Sequence, residues 1–333
     1  MQVDQQVVRE VVAQAARAPS IHNTQPWRFV SRGDTIELWT DPSRGLTVLD
    51  PSGRARHLSC GAALLHARVA AAAAGLVSTV EVRPDPNHAE HLADLHLEKA
   101  SSPPTDLSAL AGAISGRRTT RSPFTDEALP DEVVAALREA AEVEGCWLRV
   151  VESSEDAAAV TVLLARADEL ETADPDYRAE LRRWTGGGEA GTDGVSASAV
   201  PDATPSQRGS NYRLRDFVTD RSDAEPAATN QDPPAVERPT VVVLGTPDDD
   251  MESWLAAGQG LGRLLLTAAT RGVTASPMTQ PLEIPDTRKR LASELGVVGH
   301  PQMILRLGYG AEEVVAATPR RPLEEILTED VVP

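Results

Sequence analysis

Two stretches of this chain carry residue types that could do chemistry. Arg117-Arg118-Thr119-Thr120-Arg121 and Arg320-Arg321 are the densest basic clusters in a sequence of formal net charge -18. A guanidinium presents paired N–H donors that match the oxygens of a phosphate, and threonine hydroxyls add neutral donors. Gathered together these groups suit a bound anion; spread over a surface they are solvated cations paired with nearby acids. The second stretch is Ala18-Pro19-Ser20-Ile21-His22-Asn23-Thr24-Gln25-Pro26-Trp27-Arg28-Phe29-Val30. Two prolines bracket a dense set of neutral hydrogen-bonding groups in a stiff turn. Such a loop could hold a heterocycle with several donors and acceptors, and a plain polar turn before a strand fits the same residues.

Other constellations carry less. Gly258-x-Gly260-x-Gly262 misplaces the third glycine of a dinucleotide fingerprint and sits inside a helical pattern. His88, His91 and His96 fall on a turn and an alternating strand, a poor metal-ligand arrangement, so no metal site is expected. Cys60 and Cys146 have small or apolar neighbours and no Cys-x-x-Cys spacing, which suits buried thiols in a reducing compartment.

The elements that must position the basic and polar runs can be read from periodicity. Residues 3–18 place Val7, Val8, Val11, Val12 and Ala15 at helical spacing, and Pro19 marks the stop. Residues 27–30 and 35–39 read as a hairpin around Arg32-Gly33-Asp34. Residues 58–75 form a long apolar helix, and 77–82 and 92–97 alternate as strands. After a short Ser/Pro linker at 100–104 come helical stretches at 107–116 and 131–144 and a strand at 146–151. Residues 257–272 then repeat the layout of 60–75: a glycine follows the first residue and another closes the helix fourteen positions later. The strand starts at Trp27 and Trp147 also correspond, in the same order, which argues for an internal duplication. The expected halves are residues 1–104 and 105–333. Residues 174–234, rich in Gly, Ser, Asp and Pro, do not fit a duplicated core and read as a lid-like insertion.

Composition sets the outer limits. At 333 residues the chain can bury a substantial core, and its 41% apolar content is that of a globular protein. The acidic balance repels nucleic acid and anionic lipid. The first seventeen residues lack the basic start and apolar block of a signal peptide, and His66 and Arg68 interrupt the longest apolar stretch. The expectation is a cytoplasmic protein acting on a small molecule, with no nucleic-acid or membrane partner.

Pro19-Ser20-x-x-Asn23-x-Gln25-Pro26-Trp27 resembles the Pro-Ser-x-x-Asn-x-Gln-Pro-Trp signature of FMN-dependent nitroreductases. Arg117-Arg118-Thr119-Thr120-Arg121, with Phe124 close behind, resembles their Arg-x-Ser-x-Arg phosphate motif. With Gly272, Pro277, His300-Pro301 and 317–322, the chain is similar over nearly its full length to the actinobacterial Acg-type, dormancy-associated branch. The resemblance implies an α+β fold, a mainly antiparallel sheet flanked by helices, duplicated so that one chain mimics a nitroreductase homodimer and is itself a monomer. In that family each FMN lies between subunits, with the Arg motif and C-terminal basic residues from one and the Pro-Ser loop from the other. Here the first half carries the loop and the second carries the arginines, so the surviving pieces are complementary and imply one FMN site.

Carried onto this sequence, the cofactor residues are Pro19, Ser20, Asn23, Gln25, Arg117, Arg118, Thr119, Arg121, Met278, Thr279, Arg320 and Arg321. His22 and Tyr177 are candidate proton donors. Thr279-Gln280 stands where common nitroreductases have Glu-Gly, a departure that bears on nicotinamide and substrate handling. Two functions follow: an oxidoreductase moving hydride from NAD(P)H through FMN to a nitroaromatic or quinone-like acceptor, or an FMN-sequestering protein with a closed lid.

Overall fold

The computed structural model describes residues 3–99, 102, 105–185, 191–196, 212, 215, 237–310 and 317–330. Two sheets, the first mainly and the second wholly antiparallel, are bridged by a pair of long helices. In chain order the first part contains α1 (Gln5–Ala15), β1 (Trp27–Arg32), β2 (Thr35–Thr40), α2 (Arg54–Ala73), β3 (Leu76–Val82) and β4 (His91–Lys99). There follow α3 (Thr105–Ser108), α4 (Ala111–Gly116), α5 (Asp131–Glu142), β5 (Trp147–Val150), α6 (Ser154–Ala173), α7 (Pro175–Arg183) and β6 (Thr240–Thr246). The last part holds α8 (Met251–Ala269), β7 (Thr274–Pro277), α9 (Gln280–Glu283), α10 (Pro285–Glu294), β8 (His300–Gly308), α11 (Leu323–Ile326) and β9 (Leu327–Glu329).

The first sheet has the order β3-β4-β2-β1-β9, and the second β5-β6-β8-β7. In β1, Trp27, Phe29 and Ser31 are buried and alternate with more exposed residues, the pattern of a sheet covered on one face. Six of the seven residues of β6 are buried, because helices cover both faces of the second sheet. β9 lies beyond the division expected at residue 104, yet it pairs in parallel with β1, Phe29 opposite Leu327. The C-terminus therefore crosses from the second sheet's half of the chain to complete the first sheet.

Helices α2 and α8 make the most extensive helix–helix contact in the molecule. A Cβ on Gly61 would lie 2.1 Å from the Leu255 carbonyl oxygen, and one on Gly258 would lie 2.1 Å from that of Leu58. Each glycine thus meets the carbonyl three residues before the other, a reciprocal contact of the kind a two-fold axis makes. The glycine run at 258–262 belongs to this packing: Gly260 faces Cys146 and Gly262 faces Leu65.

Two expectations need correction. The second-half helix expected at 107–116 is split into α3 and α4. Helix α2 begins at Arg54, four residues before the expected Leu58, because the Asp50 carboxylate accepts from the amides of Ala55 (3.0 Å) and Arg56 (2.8 Å). These bonds satisfy two of the donors a helix start leaves open. The segment 174–234 opens with α7, whose N-cap Asp174 accepts from Asp176 and Tyr177. Most of the remainder of that segment lies outside the described residues. Among the described residues, no helix is long and apolar enough to cross a membrane.

Candidate functional site

A cavity of about 500 Å³ draws its walls from both sheets' surroundings. That volume is within the range of small-molecule sites. The first half contributes the loop Pro19–Asn23 and the first turns of α2; the second contributes 117–121, β7 and its continuation to Glu283, and β8. The C-terminal segment at 317–323 and Arg215 complete it. Its described lining carries eight arginines and one carboxylate, Glu283, in a chain of net charge -18. An interior so biased toward cations is built for an anion.

The arginines are held by carbonyls. Arg117 Nη2 donates to the Arg17 carbonyl at 3.5 Å, and Arg320 donates to those of Ala16 (3.0 Å) and Ala18 (3.1 Å) at the end of α1. Arg118 Nη1 donates to the Ser115 carbonyl at 2.7 Å. Among the described residues no carboxylate lies within ion-pair distance of Arg117, Arg118 or Arg320. The Nε atoms of Arg117 and Arg118 are buried without a partner. Burial, then repulsion from Arg320 and Arg118, lowers the Arg117 pKa to about 9. Burial does the same to Arg320, to about 10, with Arg17 and Arg118 adding repulsion. Cations that repel one another in a poorly hydrated wall leave room for a compensating anion. The backbone fixes their register: the Thr120 amide donates to the Ala275 carbonyl at 3.0 Å, which leaves Thr119 on the cavity wall and Thr120 buried off it. Arg321 also lines the wall, but its Nε pairs with Glu325 at 3.3 Å.

The 19–26 loop is bent by three non-glycine residues in left-handed geometry, His22 (φ 45), Asn23 (φ 55) and Gln25 (φ 50). Such residues need surroundings that hold them, and they concentrate at functional sites. Here Ser20 Oγ accepts from the Gln25 amide (3.0 Å) and Asn23 Nδ2 donates to the Pro319 carbonyl (3.2 Å). Gln25 Oε1 accepts from the Arg321 amide (2.8 Å), which ties the loop to the C-terminal segment.

Two further polar groups face the cavity. Arg54 is buried and donates to the carbonyl of Gln302 (2.8 Å) and to its Oε1 (3.2 Å), and nearby Gln280 Nε2 is buried with no partner. Arg215 Nη1 lies 3.2 Å from His22 Nε2 and its Nη2 donates to Glu283 at 2.7 Å. Glu171 Oε1 is 3.5 Å from the same nitrogen, and Glu171 Oε2 accepts from the Tyr177 hydroxyl at 2.7 Å.

Of the residues expected from the sequence, Pro19, Ser20, His22, Asn23, Arg117, Arg118, Thr119, Arg121, Thr279, Arg320 and Arg321 line the cavity. Gln25, Met278 and Tyr177 do not. Gln25 acts behind the loop, Met278 packs with Leu282 and Ile304, and Tyr177 packs with Leu46, Leu49 and Leu181. Neither proton-donor candidate is placed to act as an acid at neutral pH. Burial, helped by Arg215, drops the His22 pKa to about 3, and burial raises that of Tyr177 far above its ordinary value. Sequence reading missed Arg54, Arg215, Gln302 and Glu283. Only Arg54 had a readable signal, the Asp50-Pro51-Ser52-Gly53 turn that starts its helix.

Comparison with known proteins gives the family. The model of the nitroreductase family matches residues 114–309. The Mycobacterium tuberculosis protein named "Putative NAD(P)H nitroreductase acg" is 35% identical over 325 residues, covering 96% of this chain and 95% of its own. A second protein of that organism, "Putative NAD(P)H nitroreductase Rv3131", is 35% identical over 97% of this chain and 92% of its own. Among solved structures, the FMN-dependent nitroreductase NfnB of Mycobacterium smegmatis in complex with NADPH is 19% identical (TM-score 0.39), covering 66% of this chain and 97% of that one. The FMN-bound nitroreductase of Bacteroides fragilis is 16% identical (TM-score 0.39), covering 64% and 94%. The chain belongs to the nitroreductase family, in the branch that includes the acg relatives.

Proposed function

We propose that this chain binds one FMN in the cavity between its two halves and passes hydride from NAD(P)H to a nitroaromatic or quinone-like acceptor. The observation that carries the reading is the cluster of guanidinium groups of Arg117, Arg118 and Arg320 beside the Pro19–Asn23 loop, in which the Nε–H donors of Arg117 and Arg118 are buried and unpaired and, among the described residues, no carboxylate lies within ion-pair distance. Those donors fit a phosphate, and the neutral hydroxyl and amide groups of the loop fit a ribityl chain. Bound FMN supplies the two-electron chemistry; the chain's residues bind it, orient it and keep water from it. Thr119 and Arg121 extend the basic wall, and Arg54 and Gln280 offer donors to ligand oxygens. The contact of Gly61 with Gly258 supports reading the chain as a monomer that mimics a dimer.

A second reading has its own observation. Arg215, from the inserted segment, reaches the cavity wall and is tied to Glu283, with His22 and Glu171 beside it. Such a tie favours a closed site that sequesters FMN with little turnover. Anaerobic stopped-flow absorbance of the FMN-loaded protein mixed with NADH or NADPH separates the two. Fast bleaching followed by reoxidation with a quinone supports the reductase; saturable binding without bleaching supports sequestration.

A further inference from the structure

Reduction of a quinone by a hydride equivalent leaves the hydroquinone monoanion, which must take one proton. The same is true of any carbonyl-like acceptor, so the reaction proposed above, on which this inference rests, needs an acid beside the cavity. Neutral His22 cannot supply it as an imidazolium, and Tyr177 keeps its proton.

We propose that the proton comes from a buried acid pair, Glu171 and Glu283, with Glu283 at the cavity wall and Glu171 behind it as the proton reserve. The two carboxyl groups come from α6 and α9 and share one counter-ion, Arg215, whose Nη2 lies 2.7 Å from Glu283 and 3.5 Å from Glu171. Both side chains are almost fully buried, at 5% and 4% exposure. One arginine balances one carboxylate, so the pair is stable with a single negative charge and one retained proton. Their hydrogen bonds decide which group keeps it. Glu283 accepts from Arg215 and from the Thr279 hydroxyl (2.8 Å), which favours its anion. Burial and the neighbouring Glu283 charge favour the acid form of Glu171, which bonds to Glu283. The unpartnered Gln280 Nε2, in the same short helix as Glu283, is a separate sign that a ligand polar atom belongs at this wall.

The proton passes from Glu171 to Glu283 and on to the acceptor anion, and Glu171 is then recharged from solvent. Each turnover therefore consumes one hydride equivalent and one proton and leaves the pair as it began. The charged and titratable groups facing it are Arg215 from the inserted segment, Tyr177 from α7, His22 from the signature loop, Arg121 near His22, Arg54 from the start of α2 and Asp50 just before it. Of these groups, Glu171 is the one held near the working range, with its pKa raised to about 8.

The test compares wild type with Glu171→Gln, both loaded with FMN and reduced by dithionite, so that it does not depend on NAD(P)H. Reoxidation by a quinone, which consumes a proton, is measured against reoxidation by ferricyanide, which consumes none. The quinone-to-ferricyanide rate ratio falls about tenfold or more in Glu171→Gln, the low end of what a positioned acid supplies. In wild type the ratio falls above pH ~8 and in the variant it is flat with pH. Infrared difference spectra supply a readout without turnover: a protonated-carboxyl band present at neutral pH and missing in Glu171→Gln. Glu283→Gln, which breaks the middle of the path, lowers the same ratio. An unchanged ratio in both variants, or a carboxyl band that survives Glu171→Gln, overturns the assignment. Failure of NAD(P)H to reduce the wild type would instead count against the reductase reading alone.

Discussion

At the scale of single residues, the account rests on charges that the fold buries without neutralising them. Arg117 sits in a wall with Arg118 and Arg320 and accumulates their repulsion. A phosphate placed there gains charge-assisted hydrogen bonds, worth about 1.5–3 kcal/mol each. Arg117→Ala should therefore weaken FMN binding by about 10- to 100-fold. Riboflavin, which lacks the phosphate, should bind the variant and the wild type alike, and fluorescence titration of both ligands checks this. Equal loss for both ligands would place Arg117 elsewhere than at the phosphate. Glu171 makes a second prediction. Its folded-state pKa is raised above that of an exposed glutamate, first by burial, so the folded chain holds a proton that the unfolded chain has released. Stability from this group is thus present at low pH and is lost as pH rises through the ordinary glutamate range toward about 8. Thermal melts of Glu171→Gln should show a shallower decline over that window than the wild type.

These residues also show what a sequence makes legible. The Arg117–Arg121 and Pro19–Gln25 runs could be found because their donors are contiguous, so the chemistry is visible before any folding. Gln302, Glu171 and Glu283 were invisible for the opposite reason. They lie on β8, α6 and α9, far apart in the chain, and each looks like an ordinary polar residue in its own element. Arg215 lay in a stretch without periodicity, and nothing local distinguishes it from the other arginines there.

At the scale of elements, periodicity placed the hairpin β1–β2 and the long apolar helices close to where they lie. It failed at ends and in short pieces. The start of α2 depends on Asp50, a cap several residues upstream, and β9 is three residues whose only strand-like property is its partner β1. The crossing of α2 and α8 was legible as matching glycines, and the structure supplies their physical reason. A Cβ on Gly258 would meet the Leu58 carbonyl at 2.1 Å and Gly61 Cα at 2.8 Å, both backbone atoms that cannot swing away. Gly258→Ala should separate the helices and cost at least about 1–3 kcal/mol, the range for overpacking. Chemical denaturation measures the loss. Because the cavity is lined by Leu58 from one helix and by Leu261 and Leu265 from the other, FMN binding should weaken in the same variant. Gly112→Ala, where an added Cβ meets nothing within 4 Å, is the matched control and should be close to neutral.

At the scale of the whole molecule, the proposal is that the two halves have kept different parts of one site. The first supplies the polar loop with Arg17 and Arg54, the second supplies the arginines at 117–121 and 320–321, and the C-terminal strand stitches them by returning to β1. With the helix–helix interface satisfied internally, the chain should sediment as a monomer at micromolar concentration; a stable dimer through α2 and α8 would contradict the pseudo-dimer reading. The measurement closest to the central claim is an equilibrium titration of the apoprotein with FMN, read by quenching of flavin fluorescence and checked by the mass of the intact complex. The account predicts saturation at one FMN per chain, abolished by combining Arg117→Ala with Arg320→Ala. Two FMN per chain would mean that both halves kept a site, and no saturable binding would contradict the account outright.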